Sequence, residues 1–200
     1  YLHANVTNIQ LDRRRRHVAG LEIGCLNGKH HVARARAYVL ATGGIGKAYK
    51  ITSNSWEYTG DGHTLAYDAG AELQDMEFIQ FHPTGMVWPL SVQGILVTEG
   101  VRGEGGILLN NKGEQFMYND IPDNYKNQTA KDPEEGWRYC TGDRNAQRPA
   151  ELLTRDHVAR CIMREVKAGR GSPHGGVFLD IAWIKKKIPN AAEHIKKKLP

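Results

Sequence analysis

A short, uninterrupted apolar run that ends in glycines constrains the fold of this 200-residue chain more than any other feature. Residues 37–41 read Ala-Tyr-Val-Leu-Ala, and residues 42–46 follow as Thr-Gly-Gly-Ile-Gly. Continuous apolar runs of this length are typical of strands that are buried on both faces. Glycines at the carboxyl end of such a strand let a phosphate or a ring system approach the backbone. The run therefore predicts a buried strand, and a plain tight turn explains the glycines equally well.

Three segments with the composition of β-strands precede this run, and a charged turn at residues 12–16 separates the first two. Residues 6–11 and 17–23 combine β-branched and alternating apolar side chains, and residues 32–37 continue the pattern. Asn27 and Gly28, between the second and third segments, are a strong signal for a hairpin turn. We expect a three-stranded meander whose role is packing.

Periodicity, glycine stops and turn signals predict the elements that follow. They are a helix over residues 61–69, strands over 76–81 and 94–97, a hairpin of 107–110 with 114–117, a helix that carries Val158, Ile162 and Val166 on one face, a strand over 176–181 and a basic helix that opens at 190–193. Residues 119–147 are polar and show little periodicity, which predicts a long surface excursion or a partly ordered lid.

The densest chemistry lies in residues 80–85, Gln-Phe-His-Pro-Thr-Gly, and in residues 97–106. These two segments hold an imidazole, a guanidinium, hydroxyls, carboxylates and several glycines. Imidazole, guanidinium and hydroxyl groups can donate hydrogen bonds to an acid, and glycines let the backbone come close to it.

Two charged residues outside these segments each allow two interpretations. Asp61 opens the helix predicted over residues 61–69, so it either caps that helix or fixes a ribose or ribityl hydroxyl. Arg155 lies near the start of a later helix, where it either pairs with Asp156 or Glu151 or acts on a ligand. The residues alone favour the cap and the salt bridge.

The net charge of +5 comes largely from residues 13–16, 185–187 and 196–198. Such runs usually lie on solvated faces, and the alternative is a patch for nucleic acid or anionic lipid. The runs are far apart and no aromatic residues alternate with them, so we expect no nucleic-acid partner. The three cysteines share no metal-ligand spacing, which predicts no metal site and a reducing compartment. No apolar run approaches the ~20 residues of a membrane span.

Six motifs occur in order and together resemble the flavoprotein subunit of succinate dehydrogenase and fumarate reductase. They are residues 41–44, 59–62, 74–77, 81–85, 97–106 and 155–160. The similarity covers most of residues 38–179. It implies α/β plus α+β architecture, with residues 1–75 as the back half of a Rossmann-like FAD-binding domain with its meander. Residues 76–200 would be the capping domain that closes over a dicarboxylate, with 119–147 as its long surface excursion.

The resemblance also implies a role for each matching residue. His82 and Thr98 match positions that hold substrate carboxylates, and Arg155 matches the residue that transfers a proton to or from the substrate carbon. Glu99 and Arg102 match its proton relay toward solvent. Contacts to FAD are implied for Thr42, Gly43, Gly44 and Asp61.

The implied activity is succinate–fumarate oxidoreduction, with hydride passing to the flavin and electrons passing on to an iron–sulfur subunit. Further implications are a membrane-anchor subunit of cytochrome b type and a peripheral location on the cytoplasmic face of the inner or plasma membrane. The chain starts without Met, and the family's Gly-rich fingerprint, covalent-FAD His and downstream clamp His and Arg are not in it. We therefore expect an internal segment that is inactive alone. The alternatives are an L-aspartate oxidase-like flavoenzyme and a non-catalytic basic interaction module.

Overall fold

The computed structural model describes residues 3–14 and 17–184, which form two compact units, Tyr1–Ile79 and Gln80–Pro200. In the first unit, strands β1 (Ala4–Leu11), β2 (Val18–Cys25) and β3 (His30–Ala33) form an antiparallel sheet in the order β1-β2-β3. Gly28 has a φ of 75° in the turn between β2 and β3, a conformation that glycine adopts without strain. The predicted meander is confirmed.

The apolar run at residues 37–41 is not a strand and is not buried. It has no regular structure, and Val39 is 90% exposed and Leu40 54% exposed. A buried parallel strand requires strand partners on both sides. Among the described residues of this unit the meander is the only sheet, and the run does not pair with it. The prediction of a buried strand is therefore wrong for this chain. An apolar pattern shows that a segment can be buried, but it does not show whether neighbouring strands are present to pair with it.

Helix α1 (Asp61–Asp68) completes the regular structure of the first unit, together with a one-turn 3-10 helix at Gly46–Ala48. Gly60 precedes α1 with a φ of 89°, and Gly70 follows it with a φ of 94°. The predicted helix is confirmed within one residue. The strand predicted over residues 76–81 is absent: Asp75 has a φ of 56°, and Met76 and Glu77 form a turn.

In the second unit, the two segments with the densest chemistry lie beside each other. Residues 84–86 and 94–97 are joined by backbone hydrogen bonds from Met86 N to Ile95 O (2.8 Å), from Gly94 N to Met86 O (2.9 Å) and from Val97 N to Thr84 O (2.9 Å). The strand predicted over 94–97 is thus reduced to a single bridge between Gly85 and Leu96. A 3-10 helix, Leu90–Val92, lies in the intervening loop, and helix α2 (Glu99–Gly103) follows.

Strand β4 (Ile107–Leu109) pairs antiparallel with β5 (Phe178–Asp180), so the predicted hairpin of 107–110 with 114–117 is wrong. The turn itself is present, because Asn110 Oδ1 accepts hydrogen bonds from Lys112 N and Glu114 N, each at 3.0 Å. After the turn the chain enters the 3-10 helix Phe116–Asn119, which places two apolar side chains in the core instead of extending a strand. The strand predicted over 176–181 is confirmed as β5.

Helix α4 (Arg155–Lys167) packs on this core along the predicted face. Val158 is fully buried and Ile162 is 8% exposed, and Val166 packs against the same cluster. Gly169 follows the helix with a φ of 72°. The core joins α4 to β4 and to the 3-10 helices Phe116–Asn119 and Ala150–Leu152.

Residues 119–147 are more ordered than their composition indicates. They contain a 3-10 helix (Asp123–Gln128) and helix α3 (Pro133–Cys140). The Asp132 carboxylate caps α3 by accepting from Glu135 N at 2.9 Å. Ala130 and Cys140 are buried, so the segment has packed positions although most of its side chains lie on the surface. Such order is invisible to periodicity because it rests on caps and tight turns.

The basic helix predicted from residue 190 and the basic runs 185–187 and 196–198 lie outside the described residues. Within residues 3–14 and 17–184, no helix combines the length and the apolar character that crossing a bilayer requires.

Candidate functional site

Arg155 is the first residue of α4, and its guanidinium bonds with side chains from two other segments. Its Nε lies 3.4 Å from Glu99 Oε2, and its Nη1 lies 3.3 Å from Gln80 Oε1. The Arg155 and Glu99 side chains are 44% and 47% exposed, so this ion pair is open to solvent and to a ligand. Neither of the expected partners of Arg155 holds it. Asp156 pairs instead with Arg160 at 2.8 Å.

Glu99 is shared between two arginines. It opens helix α2, which Thr98 caps by accepting a hydrogen bond from Gly100 N at 3.1 Å. One turn later Arg102 places Nη2 3.6 Å from the same Oε2 that contacts Arg155. The Glu99 carboxylate therefore lies within ion-pair distance of both guanidiniums, and its contact with Arg102 is longer than a hydrogen bond.

Arg102 is fully buried, and its surroundings are unusual for a guanidinium. Its Nη1 donates to the backbone carbonyl of Glu151. Its Nε and its Nη2 have no hydrogen-bond partner among the described residues. Burial lowers the pKa of Arg102, opposed by the nearby Glu99 carboxylate and assisted by the positive charge of Arg155. Lowering that pKa makes proton loss from this guanidinium less costly than in water.

Glu151 is the second buried ionisable group beside this site, at 1% exposure. Its Oε1 accepts from Gln115 Nε2 at 2.5 Å, and its Oε2 has no partner among the described residues. Burial raises the pKa of Glu151, which favours its protonated form. Arg102 and Glu151 line a cavity of about 220 Å³ together with Tyr118 and Trp137.

His82 lies in the segment that precedes α2, close enough to Arg155, Arg102 and Glu99 for their charges to affect its pKa. Its Nδ1 lies 3.3 Å from Thr84 N, and the Thr84 hydroxyl donates to Val97 O at 2.8 Å. A backbone N–H can only donate, so Nδ1 accepts and the neutral ring carries its proton on Nε2. Burial lowers the pKa of His82, and the positive charges of Arg155 and Arg102 lower it further. His82 can therefore donate from Nε2 while remaining uncharged.

The structure thus brings together the five residues of the second unit that sequence reasoning selected as site residues. Arg155, Glu99 and Arg102 form a chain of ion pairs, His82 lies in the electrostatic reach of all three, and Thr98 caps the helix that carries two of them. Sequence reasoning missed the roles of Gln80 and Glu151 as partners of the two arginines. The one signal that could have found either was the position of Gln80, two residues before His82.

The residues expected to contact FAD lie together in the first unit. Gly62, in the first turn of α1, packs so closely on Thr42 that an added Cβ would overlap the Thr42 side chain. Gly43 has a φ of 75° and packs on the Tyr58 ring, whereas a Cβ on Gly44 would meet nothing within 4 Å. The loop of residues 42–44 therefore packs on α1 and on Tyr58 at its first two residues and is open at Gly44. An open glycine backbone beside the amino end of a helix fits a flavin nucleotide.

Asp61 is not the cap of α1. The capping position belongs to Gly60, without a side-chain hydrogen bond, and Asp61 Oδ1 instead accepts from Thr59 Oγ1 at 3.0 Å. The cap interpretation is wrong, because the left-handed conformation of Gly60 begins the helix one residue earlier than a capping Asp61 requires. The exposed carboxylate remains available to a ligand hydroxyl.

The glycine loop and the charged cluster indicate a flavin-binding protein, and comparison with known protein families agrees with this class. The profile of the FAD binding domain family matches residues 2–200, so the chain belongs to this family of flavoproteins, whose cofactor is FAD. Its relatives include a protein of Methanothermobacter marburgensis named as a subunit of fumarate reductase (CoM/CoB). The two are 43% identical over 171 residues, which are 86% of this chain and 26% of that protein.

Two further relatives have the same character. The succinate dehydrogenase flavoprotein subunit of Rickettsia bellii is 41% identical over 145 residues, 72% of this chain and 20% of that protein. A mutant of E. coli quinol fumarate reductase FrdA superposes with a TM-score of 0.69 at 34% identity, covering 94% of this chain and 29% of that one. The chain spans about a quarter of the length of the relatives that it matches.

Proposed function

We propose that this chain is part of a flavoprotein that catalyses succinate–fumarate oxidoreduction. The observation that carries the proposal is the position of Glu99, which contacts both Arg155 at 3.4 Å and Arg102 at 3.6 Å. A proton that leaves or reaches a substrate carbon at Arg155 then has beside it a half-exposed carboxylate through which it can exchange with solvent. An arginine that only stabilises the fold needs one carboxylate partner, and that carboxylate does not need to contact a second arginine.

The dicarboxylate is held by neutral and cationic donors. His82 donates from Nε2 to one carboxylate, and the Thr98 hydroxyl, whose oxygen accepts from Gly100 N, keeps its hydrogen for a ligand. Because His82 stays neutral, the positive charge at the site comes from Arg155 and Arg102, and Arg155 is the one placed where negative charge develops during reduction.

Arg155 transfers the proton, and Glu99 and Arg102 relay it to and from solvent. Arginine is a difficult base because its pKa is very high in water. In fumarate reduction Arg155 acts as an acid, and Glu99 is placed to return the proton. In succinate oxidation the same chain runs in reverse, with Gln80 orienting the guanidinium through Nη1. FAD supplies the hydride acceptor or donor when bound, with Thr42, Gly43, Gly44 and Asp61 as its contacts.

The organisation of the whole protein belongs to the same proposal. Residues 1–75 form part of a Rossmann-like FAD-binding domain, and residues 76–200 form the capping domain that closes over the substrate. Electrons pass to an iron–sulfur subunit, and a cytochrome b-type anchor holds the complex peripherally at the cytoplasmic face of the membrane.

The test uses the protein at its full natural length with FAD bound. Fumarate reduction with a reduced dye, succinate oxidation with an oxidised dye and L-aspartate oxidation are measured side by side. Turnover of fumarate or succinate is expected. Turnover of L-aspartate alone would replace the proposal by an amino-acid oxidase, and salt-dependent nucleic-acid binding without a bound flavin would replace it by a basic interaction module.

The electron donor is tested separately, because a relative is named a CoM/CoB fumarate reductase. Fumarate reduction by the thiols CoM and CoB is compared with reduction by a quinol. A quinol-dependent rate supports the membrane-anchored arrangement, and a thiol-dependent rate without a quinol rate contradicts it.

A further inference from the structure

A second cluster of reactive side chains lies on α4 away from the arginine chain. His157 and Cys161 are four residues apart on this helix and therefore share one face, and Asp120 from the preceding segment lies against them. One ligand atom from each of the three lies within 4.8 Å of the other two. Imidazole, thiolate and carboxylate are the three ligand types that zinc binds in proteins.

The distances match a shared metal ion. Cys161 Sγ lies 3.3 Å from His157 Nε2 and 3.8 Å from Asp120 Oδ2. A tetrahedral zinc ion, with Zn–S of about 2.3 Å and Zn–N of about 2.0 Å, sets neighbouring ligand atoms about 3.5 Å apart. The two distances from Cys161 Sγ therefore lie on either side of this spacing, and zinc binding additionally requires His157 Nε2 to leave the Asp120 carbonyl.

The burial of the three side chains also suits a metal. His157 is 6% exposed and Cys161 is 3% exposed, whereas the Asp120 side chain is 42% exposed, which leaves one open side for access and for a water ligand. Arg164 Nη1 lies 2.5 Å from Asp120 Oδ2 and keeps this carboxylate ionised and oriented. An outer partner of this kind commonly supports a metal-binding carboxylate.

The same contacts argue against a thiol nucleophile. Burial raises the pKa of the Cys161 thiol to about 11, so the free thiol is unreactive at neutral pH. His157 Nε2 lies 2.7 Å from the backbone carbonyl of Asp120 and donates to it, so this nitrogen cannot take the thiol proton. A Cys–His catalytic pair is thereby excluded in the metal-free arrangement.

We propose that Asp120, His157 and Cys161 bind one Zn²⁺ ion. On binding, the thiol releases its proton to solvent, and the imidazole proton moves from Nε2 to Nδ1 as the bond to the Asp120 carbonyl breaks. The ion links the start of segment 119–147 to α4. This site does not depend on the flavin chemistry proposed above.

The test titrates the 200-residue chain with Zn²⁺ and with Co²⁺ under anaerobic, reducing conditions. Co²⁺ reports a thiolate ligand through a sulfur-to-cobalt charge-transfer band. The variants are Cys161→Ala, His157→Gln and Asp120→Asn. The matched control is Cys25→Ala, which removes another thiol, from β2 of the first unit. Circular dichroism checks that each variant is folded.

The chain and Cys25→Ala are expected to bind one Zn²⁺ and to show the charge-transfer band. Cys161→Ala loses the band, and His157→Gln and Asp120→Asn lower the zinc affinity at least ~10-fold. Asp120→Asn changes a partly exposed side chain, so it stays informative if a core variant does not fold. The proposal is overturned if no thiolate band forms, or if the folded variants bind Zn²⁺ as tightly as the parent chain.

Discussion

The Arg155 Nε and the Glu99 Oε2 lie 3.4 Å apart, although 56 residues separate them in the chain. The contact joins the first residue of α4 to the first residue of α2. Because each residue is the first of its helix, the helix backbones fix the positions of both Cβ atoms. Small changes at Arg155 should therefore alter catalysis without altering the fold.

Replacing Arg155 with lysine is expected to lower kcat about 100-fold or more in the full-length flavoprotein, because the lysine cannot reproduce the fork that contacts both Glu99 and Gln80. Binding of a dicarboxylate inhibitor should change much less. The control is Arg160→Lys, which alters an exposed pair with Asp156 on the same helix. Equal turnover by both variants would refute a proton-transfer role.

Replacing His82 with alanine should weaken dicarboxylate binding by about 1–3 kcal/mol, the cost of one charge-related hydrogen bond. Titration calorimetry with a non-reacting dicarboxylate measures the change. Tyr67→Phe, an exposed ring change in α1, serves as the control. An unchanged dissociation constant for His82→Ala would contradict its assignment to the substrate.

The pKa of His82 should lie below its ordinary value of about 6.5, and Arg155→Met should raise it by removing a positive charge. NMR titration of the ring measures both values. A folded pKa below the unfolded one means that the unfolded chain binds more protons. His82 therefore contributes a loss of stability as the pH falls below about 6.5. A His82 pKa that is unaffected by Arg155→Met would place the two side chains in separate environments.

Gly44→Ala should leave the free energy of unfolding within about 0.5 kcal/mol, because the added Cβ meets no atom within 4 Å. FAD affinity should fall, since the methyl group occupies the open side of the loop. Gly24→Ala in β2 is the control, with ordinary contacts and no expected effect on flavin. Flavin fluorescence quenching measures the affinity. Unimpaired FAD binding by Gly44→Ala would remove this glycine from the flavin site.

Arg170→Gln should lower the denaturant midpoint at neutral pH, because Glu165 is buried and Arg170 donates to both of its oxygens, at 2.7 and 2.8 Å. The hydrogen bond from Arg170 lowers the pKa of Glu165, so this stabilisation is present above the ordinary carboxylate pKa and is lost as the pH falls through the lowered one. The difference between parent and variant should therefore shrink in acid.

The control for that experiment is Arg160→Gln, which breaks the exposed pair with Asp156. Chemical denaturation at neutral and acidic pH measures all three proteins. An Arg170→Gln effect that is no larger than the control, or that persists unchanged in acid, would show that Glu165 does not depend on Arg170.

Local patterns predicted the elements that need only their own residues. Three strands with an Asn-Gly turn became the meander, and the spacing of Val158, Ile162 and Val166 placed the buried face of α4. The same reasoning failed at residues 37–41 and at 107–117, because strand formation requires a partner that the segment itself does not contain.

The sequence by itself determined which chemical groups are present and their order: an imidazole before a proline, a threonine before a glutamate and an arginine near the start of a later helix. Tertiary structure alone decided the pairings: Glu99 between two arginines, Glu151 beside buried Arg102, and Asp120 against His157 and Cys161. The reason is physical. Propensity and capping act over a few residues, whereas ion pairs and ligand sets form between side chains that packing brings together from distant segments.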